Sequence, residues 1–176
     1  SGDVIAIVID AAGDGLEQAE MVTDLLTERG LTLQTTPRNE LPTDDPNHRS
    51  ALIIATKADL TTPEDITVLR ELLGDGLAIL PVSCETGQGL PALGDELWRL
   101  LAVVRVYTKR PGQKADFGDP YTLKIGSTIE DLARTIHREL PEKMKFARIW
   151  GEGRFDGQQV HRTELLHDKD IIEIHE

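Results

Sequence analysis

The sequence lacks the residues that build disulfide frameworks and membrane spans. It has one cysteine among 176 residues, so it can form neither an intrachain disulfide nor a four-cysteine zinc site. No apolar run approaches the ~20 residues that cross a membrane. The first residues also lack the basic start and apolar stretch of a signal peptide. We therefore expect a protein of a reducing compartment, the cytoplasm, that has no membrane partner.

Negative charge is in excess, and the excess is confined to one part of the chain. Residues 1–103 contain 6 Lys/Arg and 18 Asp/Glu, whereas residues 104–176 contain 13 of each, so the first part carries the whole net charge of −12. Such a step suggests two units with different partners, although a well-solvated acidic surface would produce it too. The acidity argues against nucleic-acid binding by the first part and leaves it open for the second.

The first part shows three strand–helix units in succession. Residues 4–9 are a continuous apolar run that predicts a strand buried on both faces, and residues 51–55 and 77–82 predict two more buried strands. Apolar residues at helical spacing predict helices over residues 16–29, 63–73 and 90–101. Residues 32–50, which include three prolines, are predicted to form a surface loop. This pattern is typical of an α/β fold with a parallel sheet, whose ligand-binding loops follow the carboxyl ends of the strands.

The second part has a different pattern. The predicted strands cover residues 104–109, 121–125, 145–150, 158–161 and 171–175. A helix over residues 129–140, ended by Pro141, is predicted to follow the second of these strands. This order predicts an α+β fold in which one helix covers a mixed sheet. Tyr107, Phe146 and Trp150 fall in the predicted strands, and we interpret them as core residues.

Two polar loops follow consecutive strands of the predicted parallel sheet. Thr56-Lys57-Ala58-Asp59 follows one strand, and residues 83–90 follow the next, so both loops open on the same edge. A carboxylate there can accept hydrogen bonds from the N1–H and the exocyclic amine of guanine, whereas adenine would leave it unpaired. A lysine stem can lie along the base, and backbone N–H groups can face O6. The two loops together predict a guanine-reading site, while the simpler interpretation is a polar turn.

These motifs resemble the base-specificity elements of translation-factor-type GTPases, Asn/Thr-Lys-x-Asp and Ser-Ala-x-x-Gly. The resemblance implies that Asp59 reads the guanine edge, that Lys57 packs on the base, and that GTP or GDP is the cofactor. It also implies that the backbones of Ser83 and Cys84 face O6. Thr56 stands where Asn is commoner, so we expect fewer amide contacts there, and Cys84 stands where Ala is usual.

Four segments of the second part resemble TGS domains of the developmentally regulated (DRG) branch of the Obg-like GTPases. They are residues 104–113, 133–137, 146–151 and 167–174. TGS domains of this family are small β-grasp folds similar to ubiquitin. The resemblance therefore implies two domains. Residues 1–103 would be the C-terminal half of a P-loop GTPase domain, a partial doubly wound parallel sheet, and residues 104–176 would be a TGS domain.

The sequence departs from this family at the phosphate site. It contains no Gly-x-x-x-x-Gly-Lys-Ser/Thr loop, and the Asp-x-x-Gly magnesium motif that should precede Val4 is missing. The letters of that motif recur at residues 10–13, but there they follow the wrong strand. Phosphoryl transfer needs these groups. We therefore expect either the C-terminal part of a GTP-binding protein, whose magnesium site lies outside this chain, or a relative that has lost its front half. In both cases we expect the chain alone to be inactive as a GTPase.

Basic residues of the second part are candidates for contact with RNA, a ribosome or a regulatory protein. They are Lys109, Arg110, Lys114, Arg134, Arg138, Lys143, Lys145 and Arg148. Arg134, His137 and Arg138 are predicted to share one helix face because of their spacing. Acidic residues are equally numerous, so a balanced solvated surface is the simpler alternative. A second functional hypothesis needs no nucleotide: the chain would be a non-hydrolysing RNA- or protein-binding module that works through residues 104–176.

Overall fold

The structure, a computed structural model, describes residues 4–176 and divides the chain into two compact units between Ala102 and Val103. The strands of the first unit are β1 (Val4–Asp10), β2 (Thr32–Gln34), β3 (His48–Thr56) and β4 (Ile79–Pro81). Its helices are α1 (Gly15–Glu28), α2 (Pro63–Leu73) and α3 (Leu90–Leu101). Short 3-10 turns occupy Arg38–Glu40 and Ala58–Leu60. The strand–helix alternation is the predicted one.

Strand β3 is the centre of a parallel sheet. It pairs with β1 on one side, where Ile9 lies opposite Ala55, and with β4 on the other, where Ala55 lies opposite Pro81. Strand β2 pairs with the beginning of β3, on the same side as β4. Because all four strands are parallel, the carboxyl ends of β1, β3 and β4 meet at one edge. The prediction of a parallel sheet is confirmed.

Helices cover both faces of this sheet. On one face, α1 and α2 pack against a cluster that includes Ile7, Ile53 and Ile79. On the other, Leu100 of α3 packs against a smaller cluster around Leu52. The prediction that β1 is buried on both faces is wrong, because α3 leaves Val8 62% exposed.

The predicted loop over residues 32–50 contains more structure than its composition indicates. Residues 32–34 form β2, and β3 begins at His48 rather than at residue 51. These additions pair through backbone hydrogen bonds, which do not require an apolar side-chain pattern. Sequence periodicity therefore did not reveal them.

Local sequence signals set the ends of α2 as predicted. Thr62 caps the helix by accepting a hydrogen bond from the Asp65 N–H at 3.2 Å, and the Asp65 carboxylate accepts one from the Thr62 N–H at 2.8 Å. Gly74 ends the helix with a positive φ of 72°, a conformation that glycine adopts without a Cβ penalty.

The second unit is a five-stranded mixed sheet with helices on one face. Its strands are β5 (Val103–Thr108), β6 (Asp116–Lys124), β7 (Phe146–Trp150), β8 (Gln158–Val160) and β9 (Asp170–His175), in the order β6-β5-β9-β7-β8. Its helices are α4 (Ile129–Ile136) and α5 (Leu140–Lys143). Only β5 and β9 are parallel. Leu132 of α4 packs with Ile149 and Ile172 in a single core, so the β-grasp arrangement is confirmed.

Two boundaries in this unit differ from the prediction. Strand β6 begins at Asp116, although it contains Gly118 and Pro120, because an edge strand tolerates residues that weaken a central one. Helix α4 ends at Ile136, where His137 has an extended backbone, and Pro141 lies in the first turn of α5. The predicted helix over residues 129–140 is therefore two helices.

The predicted core role of three aromatic residues is also wrong. Tyr107, Phe146 and Trp150 are half-buried and lie outside the core cluster of this unit. Strand alternation explains their position, because their neighbours Val106, Ala147 and Ile149 point into the core instead.

No helix among residues 4–176 is long and apolar enough to cross a bilayer.

The loop between β4 and α3 depends on a glycine. Gly89 has a φ of +75°, and a Cβ at this position would lie 2.2 Å from the Pro81 carbonyl oxygen. Gly87 has a similar φ of +78°, but a Cβ there would meet nothing within 4 Å. The two glycines therefore separate the cost of backbone strain from the cost of a steric clash.

We expect Gly87→Ala to lower the free energy of unfolding by about 1–2 kcal/mol, the cost of a left-handed non-glycine residue. Gly89→Ala should lower the free energy of unfolding by about 1–3 kcal/mol more than Gly87→Ala does, because its Cβ must displace the end of β4. Urea unfolding of both variants, followed by circular dichroism, measures the difference. Equal losses in the two variants would contradict the close packing at Gly89.

An ion pair holds the loop before β9 to β5. The Asp168 carboxylate accepts hydrogen bonds from the Arg105 backbone N–H at 2.8 Å and from its guanidinium at 3.0 and 2.5 Å. The Arg105 guanidinium holds the pKa of the Asp168 carboxyl below its ordinary value of 3.8. Because the pKa is lower in the folded state, this stabilisation is present above pH 3.8 and is lost as pH falls through the folded pKa.

We therefore expect Asp168→Asn to lower the free energy of unfolding at neutral pH by on the order of 1 kcal/mol, since solvent reaches the pair. The difference from wild type should shrink as the pH falls below 3.8. Urea titrations over a pH series measure it, with the exposed Asp156→Asn as control. A difference that is constant over the whole series would contradict the ion pair as the cause.

Candidate functional site

The loops after β3 and β4 are joined by backbone hydrogen bonds at the edge where the strands end. The Val82 N–H donates to the Ala55 carbonyl at 2.8 Å, and the Ala58 N–H donates to the Val82 carbonyl at 3.0 Å. These bonds fix residues 56–59 beside residue 83. The structure thus brings together the two loops that the sequence predicted to lie together.

Thr56 and Lys57 connect this edge to the end of β1. The Thr56 hydroxyl donates to the Ile9 carbonyl at 2.7 Å, so it bridges two strand ends. Lys57 has a left-handed backbone (φ 58°), and its Nζ lies 2.6 Å from Oδ2 of Asp10. The side chain of Lys57 therefore reaches across the carboxyl end of the sheet.

Asp10 is a member of this cluster that sequence reasoning did not assign. Its carboxylate accepts a hydrogen bond from Lys57 and another from the Ala12 N–H at 3.1 Å, while its own N–H donates to the Gln18 side chain at 2.9 Å. The hydrogen bond from Lys57 is the main reason that the pKa of Asp10 lies below its ordinary value. The available signal was positional, since Asp10 ends the strand next to β3.

The Asp59 carboxylate is exposed at the same edge. It lines a groove of about 430 Å³ that also includes Pro81 and Gln88. Its other lining residues lie in α2 and just before it, and Lys57 and Cys84 do not line it, so the groove adjoins the two loops without containing the whole set of candidate groups.

The loop that begins at Ser83 is closed by its own hydrogen bonds. The buried Ser83 donates its N–H to the Gln88 carbonyl at 2.9 Å, and its hydroxyl accepts from the Thr86 N–H at 3.1 Å. Cys84 is exposed, and its N–H has no acceptor among residues 4–176. Of the two predicted backbone donors, Cys84 is the one that remains available to a ligand.

This edge offers a carboxylate, a free backbone N–H and an anchored lysine. Together these groups could receive a planar base that has donors on one edge and an acceptor on the next. Among residues 4–176, no three His, Cys, Asp or Glu side chains come together as metal ligands.

In the second unit, three predicted contact residues line one groove. Lys109, Arg110 and Lys114 line a groove of about 590 Å³ that Ile136 and Leu140 also line. Lys109 is ion-paired with Glu173 (2.9 Å), whereas neither Arg110 nor Lys114 has an acidic partner among the described residues.

The structure separates the other basic residues from this groove. Arg134 pairs with Glu130 of its own helix at 3.1 Å, and Lys143 pairs with Glu139 at 3.0 Å. Arg138 lies beyond the end of α4, so the predicted helix face shared by Arg134, His137 and Arg138 is wrong. The reason is the extended backbone at His137. Lys145 and Arg148 lie immediately before and within β7, and both are exposed.

Comparison with known proteins agrees with this architecture. The TGS domain family model matches residues 104–176. A GTP-binding protein from Pyrococcus horikoshii superposes with a TM-score of 0.66 at 19% identity, covering 98% of this chain and 78% of that one. The Schizosaccharomyces pombe YchF GTPase gives a TM-score of 0.62 at 10% identity, covering 98% and 71%. These similarities establish the fold.

Two curated relatives extend the comparison to sequence. An uncharacterized GTP-binding protein from Halobacterium salinarum is 26% identical over 96% of this chain and 49% of its own length. The developmentally-regulated GTP-binding protein 2 homolog of Dictyostelium discoideum is 34% identical over 70% of this chain and 33% of its own. The chain thus spans half or less of their lengths. These matches relate the chain to the DRG/Obg-like GTP-binding proteins, and its residues 104–176 are a TGS domain.

Proposed function

We propose that the first unit recognises the base of a guanine nucleotide. The observation that carries the proposal is the sheet edge itself, where backbone hydrogen bonds hold the loop of Asp59 beside the loop of Ser83 and Cys84. Asp59 would accept hydrogen bonds from the N1–H and the amine of guanine. The Cys84 N–H would donate to O6. Adenine has an acceptor at N1 and no amine at C2, so it would leave the carboxylate unpaired.

Lys57 supports the same assignment. Because Asp10 holds its Nζ at 2.6 Å, the aliphatic stem of Lys57 is fixed across the edge of the sheet, where it can pack on a base. Thr56 has a bridging role, since its hydroxyl bonds to the carbonyl of Ile9 and not to a neighbouring loop. A threonine is therefore sufficient to join the two strand ends.

The proposal concerns base recognition and not hydrolysis. Phosphate binding needs a glycine-rich loop with a lysine, and the 176 residues contain no Gly-x-x-x-x-Gly-Lys-Ser/Thr segment. We propose that hydrolysis, where it occurs in relatives, relies on such a phosphate loop with magnesium, and that this chain alone has no GTPase activity.

Replacement of one atom in Asp59 tests the assignment. In Asp59→Asn the side chain offers an amide donor in place of one carboxylate oxygen, which matches the carbonyl at C2 of xanthine better than the amine of guanine. Preference should therefore shift from GMP to XMP by about 10-fold or more, the range for an unpaired polar group. Titration of the ¹⁵N-labelled chain with each nucleotide, followed by NMR at the Cys84 amide, measures both affinities.

Asp44→Asn is the matched control, because Asp44 is an exposed aspartate in the loop before β3. It should leave the preference for GMP unchanged. An unchanged preference in Asp59→Asn, or equal shifts of the Cys84 amide with GMP and AMP, would contradict base recognition at this edge.

We further propose that the TGS domain contacts RNA or the ribosome. The observation that favours this function is a group of basic side chains of this unit that form no ion pair with the described residues, which includes Arg110, Lys114, Arg138, Lys145 and Arg148. These cations can neutralise phosphates without first breaking an ion pair. The first unit carries the net negative charge, so contact through the second unit is favoured.

Salt dependence tests this second function. We expect the whole chain to bind labelled single-stranded RNA with an affinity that falls as salt rises, with a slope of roughly 0.7 per phosphate contact in a double-logarithmic plot. Removal of the paired cations, Arg134→Ala and Lys143→Ala, should leave the slope unchanged. Fluorescence anisotropy at a series of salt concentrations measures it. A chain that does not bind RNA, or binds it without salt dependence, would contradict the proposal.

A further inference from the structure

The TGS sheet has a second face, which we call the outer face, opposite its hydrophobic core. Strand alternation places on it Arg105, Tyr107 and Lys109 from the β5 side, Phe146, Arg148 and Trp150 from β7, and Ile171, Glu173 and His175 from β9. None of these residues belongs to the core cluster. Both helices of the unit send their buried residues to the other face, so neither covers this one.

Aromatic rings are concentrated on the outer face. The ring of Phe146 stacks on His175, with centroids 4.3 Å apart. Tyr107 meets Phe117 edge-on at 5.1 Å, which extends the row onto β6. Phe117 is 63% exposed, so most of its surface is open to solvent. The chain has seven Phe, Trp and Tyr residues, and four of them, including Trp150, lie on this one sheet face together with the His175 ring.

The buried carboxylate of this face is bound by two neighbouring side chains. Glu173 is 5% exposed and binds Lys109 at 2.9 Å and His175 at 2.7 Å. Burial opposes its ionisation, yet the hydrogen bonds from Lys109 and His175 keep its pKa below the ordinary value. The Lys109 Nζ also lies 3.9 Å from the centroid of the Trp150 ring, a cation–π contact. The face therefore presents no free carboxylate from Glu173.

Arg148 gives this face an excess of positive charge. It is exposed, it lies opposite Glu173 in the register of β7 and β9, and it forms no ion pair with any of the described residues. By contrast, Arg134 and Lys143 on the helical side are paired with acids. Arg148 is thus a free cation on the strand that also carries the half-buried rings of Phe146 and Trp150.

We propose that the outer face of the TGS sheet binds single-stranded RNA, with bases stacked on its aromatic rings and phosphates bound by Arg148. The inference rests on the RNA contact proposed above and deepens it, because it names the form of RNA and the face that receives it. Rings accept unpaired bases on their faces, whereas a duplex hides those faces within its own stack. A protein partner would not require an uncompensated cation between the rings.

Binding of two probes by the full chain tests the form of RNA. The probes are a short fluorescein-labelled oligouridylate and the same strand annealed to oligoadenylate, measured by anisotropy at equal salt. We expect the single strand to bind at least about 10-fold more tightly than the duplex. In a Trp98→Phe background, Trp150 is the sole tryptophan, and its emission should be quenched when the single strand binds.

Two matched pairs of variants test the face. Phe117→Ala should raise Kd by about 5-fold or more, the effect of losing one stacked base. Phe155→Ala removes a ring that is 83% exposed in a loop outside the sheet and should leave Kd unchanged. Arg148→Ala should reduce the salt slope by about 0.7, the value for one single-strand phosphate contact. Arg134→Ala, at an exposed arginine that is paired with Glu130, should not. Urea midpoints check that each variant is folded.

The possible results distinguish this inference from the function on which it rests. If the chain binds RNA but the two controls weaken binding as much as Phe117→Ala and Arg148→Ala, RNA contact stands and the outer face is excluded. Equal or tighter binding of the duplex would also overturn the inference. If neither probe binds, both the RNA function and the inference fail. A protein partner would then be the alternative ligand of this face.

Discussion

The central position of β3 is the constraint on which the first unit depends. Its parallel pairing with β1 and β4 brings three strand ends to one edge, with Ile9, Ala55 and Pro81 in adjacent register. Every group of the candidate base site follows one of these ends. A slip of one residue in either pairing would turn the strand over and move its polar loop away from the others. The position of the candidate site therefore depends first on the register of the sheet and only then on the side chains.

Within that frame, close backbone contacts decide which groups remain for a ligand. The loop after β4 can turn at Gly89 only because no Cβ lies against the Pro81 carbonyl. The turn uses the N–H of Ser83 internally and leaves that of Cys84. On the other side, Asp10 immobilises Lys57. The candidate site thus contains one acceptor, one donor and one fixed apolar stem, which is a small but selective set for a planar base.

In the TGS domain, strand alternation separates a hydrophobic core from an outer face. One set of alternate residues, including Val106 and Ile149, builds the core under α4. The other set carries aromatic rings and charges on the outer face. Since a packed core excludes polar groups and a solvated face tolerates them, the same strands can satisfy stability and binding separately. The buried Glu173, paired with Lys109, shows that the outer face is ordered by its own contacts.

The sequence by itself determined the secondary-structure elements whose signals are local. The bounds of α2, the run of residues 51–55 and the two polar loops were all predicted, because their causes lie within a few residues of one another. Only the tertiary structure decided that Asp10 binds Lys57, that residues 32–34 form a strand and that Trp150 lies outside the core. Asp10 and Lys57 are 47 positions apart, and no local pattern reports a contact over that distance. These three features are determined by long-range packing and not by local propensity.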